Sequence, residues 1–126
     1  MIVSFNGLSC FKLSTKSGGG QEFSLVTDPF EHKNTGLQLP RLKANIVISS
    51  DSKAAWHNQL AAVKPVGEEQ QLVITEPGEY EAFDIFIQGM VSDDGPILYY
   101  IEIEKLAVAF IGKLKTAKLS QKQLEL

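Results

Sequence analysis

A single cysteine, Cys10, stands among 126 residues. One cysteine excludes an intrachain disulfide and a Cys-x-x-Cys metal knuckle. Histidine is also scarce, with only His32 and His57, and the pair suggests no Ser-His-Asp or Cys-His arrangement. An excess of positive charge is missing: the net charge is −3, so no basic field draws nucleic acid or an anionic membrane. No apolar run approaches the ~20 residues of a membrane span. The opening "MIVSFNG" lacks the basic region and long apolar stretch of a signal peptide. A cytoplasmic location is the expectation. Hydrophobic residues make up 44% of the chain and charged ones 21%, as in an ordinary globular domain. The length suits one domain over residues 1–126 and can bury a real core.

Most of the chain reads as strands. "MIVSF" and "SCFKLST" cluster or alternate apolar residues, with Asn6-Gly7 as a turn signal between them. "KSGGGQ" is a flexible loop before a third strand, "EFSLV", and the second and third strands form a hairpin. "TDPFEHKNTGLQLPRLKA" looks irregular, with its two prolines and one glycine. "NIVIS" is a strand. From Ser52 to about Val63, Trp56, Leu60 and Val63 fall at helical spacing, which predicts a short amphipathic helix. Residues 71–112 form further strands punctuated by Pro77-Gly78, Gly89, Asp94-Gly95-Pro96 and Glu104-Lys105. The tail "KLSQKQLEL" can start a last helix.

In order along the chain, these pieces resemble the metallo-β-lactamase fold hydrolases, above all a small bacterial group of zinc-dependent hydrolases. "FNGLSCFKL" looks like that group's opening, usually Leu-Gly-His-Ser-Cys-Phe. "LVTDPF" looks like its Ile-Asp-Pro-Phe segment. "LKANIVISSDSKAAWHN" looks like the strand leading into His-x-His-x-Asp-His. "PGEYEAFDIFIQGM" and "ILYYIEIEKLAVAFIGKL" look like the later strands, which end at a Gly-Asp motif.

The departures fall on the metal ligands that the resemblance implies. Imidazoles and a carboxylate at the family's spacing converge on one side of a turn and fit zinc. Here the matching positions hold Ser50, Asp51, Ser52, Ala54 and Ala55. The opening Gly-His is Gly7-Leu8, no histidine follows Gly89 in "GMVSDDG", and the Gly-Asp aspartate is Lys113. A hydroxyl is a poor zinc ligand, alanine is none, and lysine brings a positive charge where a cation should sit. The resemblance therefore implies the shape of an active-site loop without its metal ligands, and no cofactor is expected.

The remaining candidates read more simply as structure. On a helix, His57 lies five residues from Ser52 and need not face the old site, so it reads as exposed or partly packed beside Trp56. His32 sits in an irregular loop. Asp28 matches the family's Asp-Pro aspartate, which orients a ligand there; with no ligand to orient, it reads as a turn or cap residue. Asp51 reads as the N-cap of the following helix. "SDDG" lacks the spaced oxygens of a calcium loop and reads as a turn. "SGGGQ" lacks the Gly-Lys-Ser/Thr of a phosphate loop. Cys10 reads as a small buried apolar side chain.

The resembling family is a four-layer αββα sandwich of two similar halves, and the likeness ends near the Gly-Asp position. The expected fold is α+β and mostly β: half of such a sandwich, with one mixed or antiparallel sheet and one or two helices on one face. The expected function is a non-catalytic structural or interaction module. The alternatives are a metal-dependent hydrolase with unorthodox or partner-completed ligands, and a small-ligand module using the old cleft. Strands such as "ILYYIEI" carry apolar residues on both faces. That leads to the expectation of a homodimer packed sheet face to sheet face, or of a partner chain supplying the second half.

Overall fold

The alternating segments at the start fold as antiparallel strands, β1 (Ile2–Gly7), β2 (Cys10–Lys16) and β3 (Glu22–Thr27). In this computed structural model, residues 1–16, 19–68, 70–92 and 95–112 are described. The β1–β2 turn falls at Leu8-Ser9, one step beyond the Asn-Gly signal, with Gly7 at φ 110 and Leu8 at φ 51. The irregular stretch that follows holds the four-residue helix α1 (His32–Thr35) and the short strand β4 (Leu42–Lys43). Gly36 ends α1 in the left-handed conformation, its N–H returning to the His32 carbonyl. Then come β5 (Ile46–Ile48), a 3-10 turn (Leu60–Ala62), β6 (Val63–Lys64) and β7 (Leu72–Ile74). Four longer strands follow: β8 (Gly78–Ala82), β9 (Ile85–Val91), β10 (Ile97–Ile103) and β11 (Leu106–Phe110).

The strands assemble into a five-stranded sheet ordered β1-β2-β3-β5-β7 and a four-stranded sheet ordered β11-β10-β9-β8, with β4 and β6 paired apart. The first is mixed, because β3, β5 and β7 run parallel while β1 and β2 are antiparallel. The second is antiparallel throughout. The inner faces of the two sheets meet. Leu13, Leu25, Ile46, Ile48 and Ile74 of the first pack in one core with Ile85, Ile87, Tyr99, Ile101 and Ile103 of the second. The expectation of one sheet is thus corrected: two sheets cover each other within the chain. The apolar strands need no second copy to bury that face, which removes the reason for a face-to-face dimer.

The outer face of the mixed sheet is covered as well. Cys10, Val26 and Val47 pack there against Phe30, Leu42, Ala44 and Val63. The irregular stretch and the segment before β6 therefore form the outer layer where a helix was expected. Buried on both faces, β5 is the uniformly apolar Ile-Val-Ile, as a central parallel strand must be.

The helix expected from Ser52 to about Val63 does not form. Residues 52–53 and 55–57 are turns, and only Leu60–Ala62 makes a 3-10 turn. Side chains in and beside the segment compete for its backbone groups. Asp51 Oδ1 accepts the Lys53 N–H at 3.0 Å, Asn58 Nδ2 donates to the Ser52 carbonyl at 2.8 Å, and Ser49 Oγ donates to the His57 carbonyl at 2.7 Å. Asp51 accordingly forms a turn rather than capping a helix. Gly89 lies inside β9 rather than at a break; it sits opposite Tyr99, where a Cβ would come within 2.9 Å of the Tyr99 ring. The tail helix, Lys113, and Asp93 and Asp94 of "SDDG" lie outside the described residues.

Candidate functional site

Parallel strands deliver their following residues to one end of a sheet, the usual place for a site in such architectures. Here β3 delivers Asp28 and β5 delivers Ser49 and Ser50, and all three are fully buried. The Asp28 N–H donates to the Ile48 carbonyl at 2.9 Å, tying the two strand ends together. That arrangement holds Asp28 at φ 40, a conformation that aspartate tolerates better than most side chains.

The Asp28 carboxylate is the hub. Its Oδ1 accepts the Ser50 N–H at 2.6 Å, and its Oδ2 accepts the Ser50 hydroxyl at 2.6 Å. His57 Nδ1 lies 2.8 Å from Oδ2. A carboxylate oxygen accepts, so the imidazole Nδ1–H is the donor. Gly112 closes the cluster: a Cβ there would lie 2.6 Å from Ser50 Oγ and 3.1 Å from Asp28 Oδ2. The sheets are joined at the same point, where the Tyr99 hydroxyl donates to the Ser49 carbonyl at 2.9 Å and the Ile97 N–H to the Ser50 carbonyl at 2.7 Å.

Serine, histidine and aspartate meet here, but not in the order of a nucleophilic triad. In a triad the imidazole stands between hydroxyl and carboxylate and takes the hydroxyl proton. Here the carboxylate stands in the middle, and Ser50 donates to it from a fully buried position. The arrangement fixes the chain and activates no nucleophile. The buried negative charge also acts on its neighbours. Burial first, then Asp28, pushes the Cys10 thiol up to about 12, against a smaller opposing effect from Asn6. The same two causes, in the same order, raise the Tyr99 phenol.

The structure places the sequence-derived candidates unequally. Asp28 and Ser50 come together. Asp51 and Ser52 line an adjacent cleft of about 570 Å³, with Lys53, Thr75, Glu76 and Pro96 also on its wall. Leu8 is in the β1–β2 turn, Ala54 is half-buried and Ala55 is exposed. His32 is exposed, with Nδ1 3.4 Å from Gln38 Nε2. The reading of His57 is corrected: it is buried against Asp28, because residues 52–57 turn rather than spiral. Its partner on the helical reading, Trp56, is 52% exposed and donates from Nε1 to the Asn34 carbonyl at 2.9 Å. Asp28 likewise does more than cap a turn. The roles of Ser49 and Tyr99 were missed. A single buried aspartate just after a strand, in need of donors, was the one signal pointing to such a cluster.

Comparison with solved structures finds a proposed Zn-dependent hydrolase of the metallo-β-lactamase superfamily from Thermotoga maritima. The TM-score is 0.71 and the identity 28%, over 98% of this chain and 53% of that one. The resemblance to the metallo-β-lactamase superfamily holds. The chain spans about half the length of that solved neighbour. No family model and no curated protein matches the chain. Of the candidates read from the sequence, Asp28 and Ser50 are joined directly. Among the described residues, no group of three or more His, Cys, Asp or Glu side chains is placed to hold a metal ion.

Proposed function

We propose that this chain is a non-catalytic structural or interaction module of metallo-β-lactamase-like fold. The observation that carries this reading is the engagement of the Asp28 carboxylate by Ser50 and His57. A zinc ligand needs a lone pair aimed at the ion and a set of like donors around it. The residues present do not fit that ion. Leu8, Ala54 and Ala55 offer no donor atom. The Ser50 hydroxyl points its proton at Asp28, and the Nδ1 of His57 is turned to the same carboxylate. Without a metal to lower the pKa of a bound water to ~7, a hydrolase of this class has no nucleophile at neutral pH.

Metal analysis of protein purified without added zinc, followed by zinc titration, tests the reading. The expected result is zinc far below one per chain and no saturable binding. Stoichiometric zinc, lost on replacing Asp28 or His57, overturns it in favour of a hydrolase with unorthodox ligands. The cleft beside Ser50 favours a second reading, a small-ligand module. Its wall offers the Lys53 ammonium, the carboxylates of Asp51 and Glu76, and the hydroxyls of Ser52 and Thr75. A ligand-induced rise in melting temperature that Lys53→Ala abolishes, without zinc, would support that alternative.

A further inference from the structure

β1 and β11 are each the edge strand of their sheet, and the contacts between them place both on the same side of the sandwich. They are stacked and run in the same direction. The Met1 ammonium meets the Glu104 carboxylate just before β11, and Val3 faces Val108, Ala109 and Phe110 across an apolar opening of about 180 Å³. Among the described residues no strand pairs with the outer side of either. Soluble proteins guard such edges with charge, proline or shortness. Neither strand carries a charged residue or a proline: β1 is Ile-Val-Ser-Phe-Asn-Gly and β11 is Leu-Ala-Val-Ala-Phe. Both are apolar and open, with Ile2 67%, Val3 55%, Phe5 64% and Leu106 50% exposed. The opposite edges differ. β8 presents Glu79 and Glu81, both exposed, and β7 has only three residues.

We infer that the β1/β11 side binds a second copy of this chain, edge to edge. Identical strands paired about a two-fold axis set like residues near one another, so a charged strand repels itself. β8 is excluded on that ground and β1 and β11 are not. An axis along the sheet normal would pair β1 with β1 and β11 with β11, each antiparallel, in one operation. Both sheets then continue across the interface, and the apolar opening closes from both sides. The inference deepens the reading as an interaction module and rests on it. Zinc content tests that reading and molecular mass tests this one, so the two fail separately.

The test is light scattering and sedimentation of the full chain from about 1 to about 100 μM, a range over which any dimer of micromolar or tighter affinity is populated. The expected mass is twice 13.9 kDa. In a register centred on Val108, Ala107 of one copy faces Ala109 of the other. The Ala107→Lys/Ala109→Lys variant then opposes like charges across the axis, while the new ammonium at position 107 gains Glu102 as its cross-strand neighbour within the chain. A monomer with unchanged circular dichroism is expected from it, melting no lower than wild type diluted until it too is monomeric. A wild-type chain that stays monomeric throughout overturns the proposal, since the edges then need no second copy. A dimer that survives both substitutions overturns it too, because the interface lies elsewhere. Should the variant not fold, hydrogen exchange on the wild type decides. Amides of residues 2–7 and 106–110 that slow with rising concentration support the proposal, and rates independent of concentration refute it.

Discussion

Asp28 accepts hydrogen bonds from the Ser50 backbone, the Ser50 hydroxyl and His57, and it does so out of contact with water. Bonds to a charged group contribute more than neutral ones, and a donor left alone in the interior keeps its full desolvation cost. Asp28→Ala strands those donors, so it should destabilise the chain by ~3 kcal/mol or more. Ser50→Ala leaves His57 and the backbone N–H on the carboxylate and should cost only ~1 kcal/mol. Urea unfolding of the two variants measures both, and equal losses would contradict the hub role of Asp28. The neighbouring Cys10 yields a second prediction. Its side chain is buried and its pKa is pushed up to about 12 by that burial and by Asp28. The thiolate is the nucleophile, so at pH 8 the folded protein should not react with a disulfide reagent. The same thiol should titrate fully in denaturant, and labelling of the native protein at the rate of a free thiol would show the core to be open.

At the scale of the element, β9 and β10 lock through one pair of residues. Tyr99 lies across Gly89, and its ring occupies the space a Cβ would take. Displacing that ring would pull its hydroxyl from the Ser49 carbonyl, one of the two bonds joining the second sheet to the site. Gly89→Ala should therefore cost ~1–3 kcal/mol, as overpacking does, while Tyr99→Phe should lose only the hydrogen bond, ~1 kcal/mol. Thermal melts of both and of the double variant test this, and full additivity would mean that ring and glycine are uncoupled. The sequence alone read Gly89 as punctuation, because a glycine inside a strand pattern does not name its cross-strand partner. The hairpins were legible because their causes are local: alternation in β2 and the Glu104-Lys105 turn, whose two residues take φ 53 and 66. The Phe83-Asp84 turn, at φ 54 and 60, was not legible, since the apolar Phe83 reads as one more strand residue where Glu104-Lys105 breaks the apolar run with two charges. The helix from Ser52 failed for a related reason. Apolar spacing at Trp56, Leu60 and Val63 is a weak prior, and the bonds of Asp51, Asn58 and His57 to distant or non-helical partners outweigh it.

At the scale of the molecule, the apolar strands announced burial on both sides but not which surface would provide it. Sheet-on-sheet packing joins residues such as Leu25 and Ile87 that are far apart in sequence, and periodicity carries no information at that range. The same distance hid the site, which takes Asp28, Ser50, His57 and Gly112 from separate segments. Beyond the shared core, one polar clasp joins the sheets at their open side. The Met1 ammonium of β1's sheet and the Thr15 hydroxyl of β2 both donate to the Glu104 carboxylate, in the turn between β10 and β11. These donors, the ammonium first and the hydroxyl second, hold the Glu104 carboxyl below its ordinary value of 4.5. A group whose pKa is lower folded than unfolded stabilises the fold while it is ionised in both states. The contribution is therefore complete above pH 4.5 and fades as the pH falls from there through the lower folded value. Its size is modest, because the side chain is 34% exposed and water screens the pair. The melting temperature of the wild type should accordingly fall more steeply with acidification below pH 4.5 than that of Glu104→Gln, which cannot titrate. At neutral pH the variant should melt slightly lower than the wild type. Blocking the Met1 amine should weaken the acid sensitivity in the same direction, since it removes the stronger donor. Melting curves for wild type and variant that run parallel from neutral pH through the acid range would show that the clasp does not join the sheets in solution.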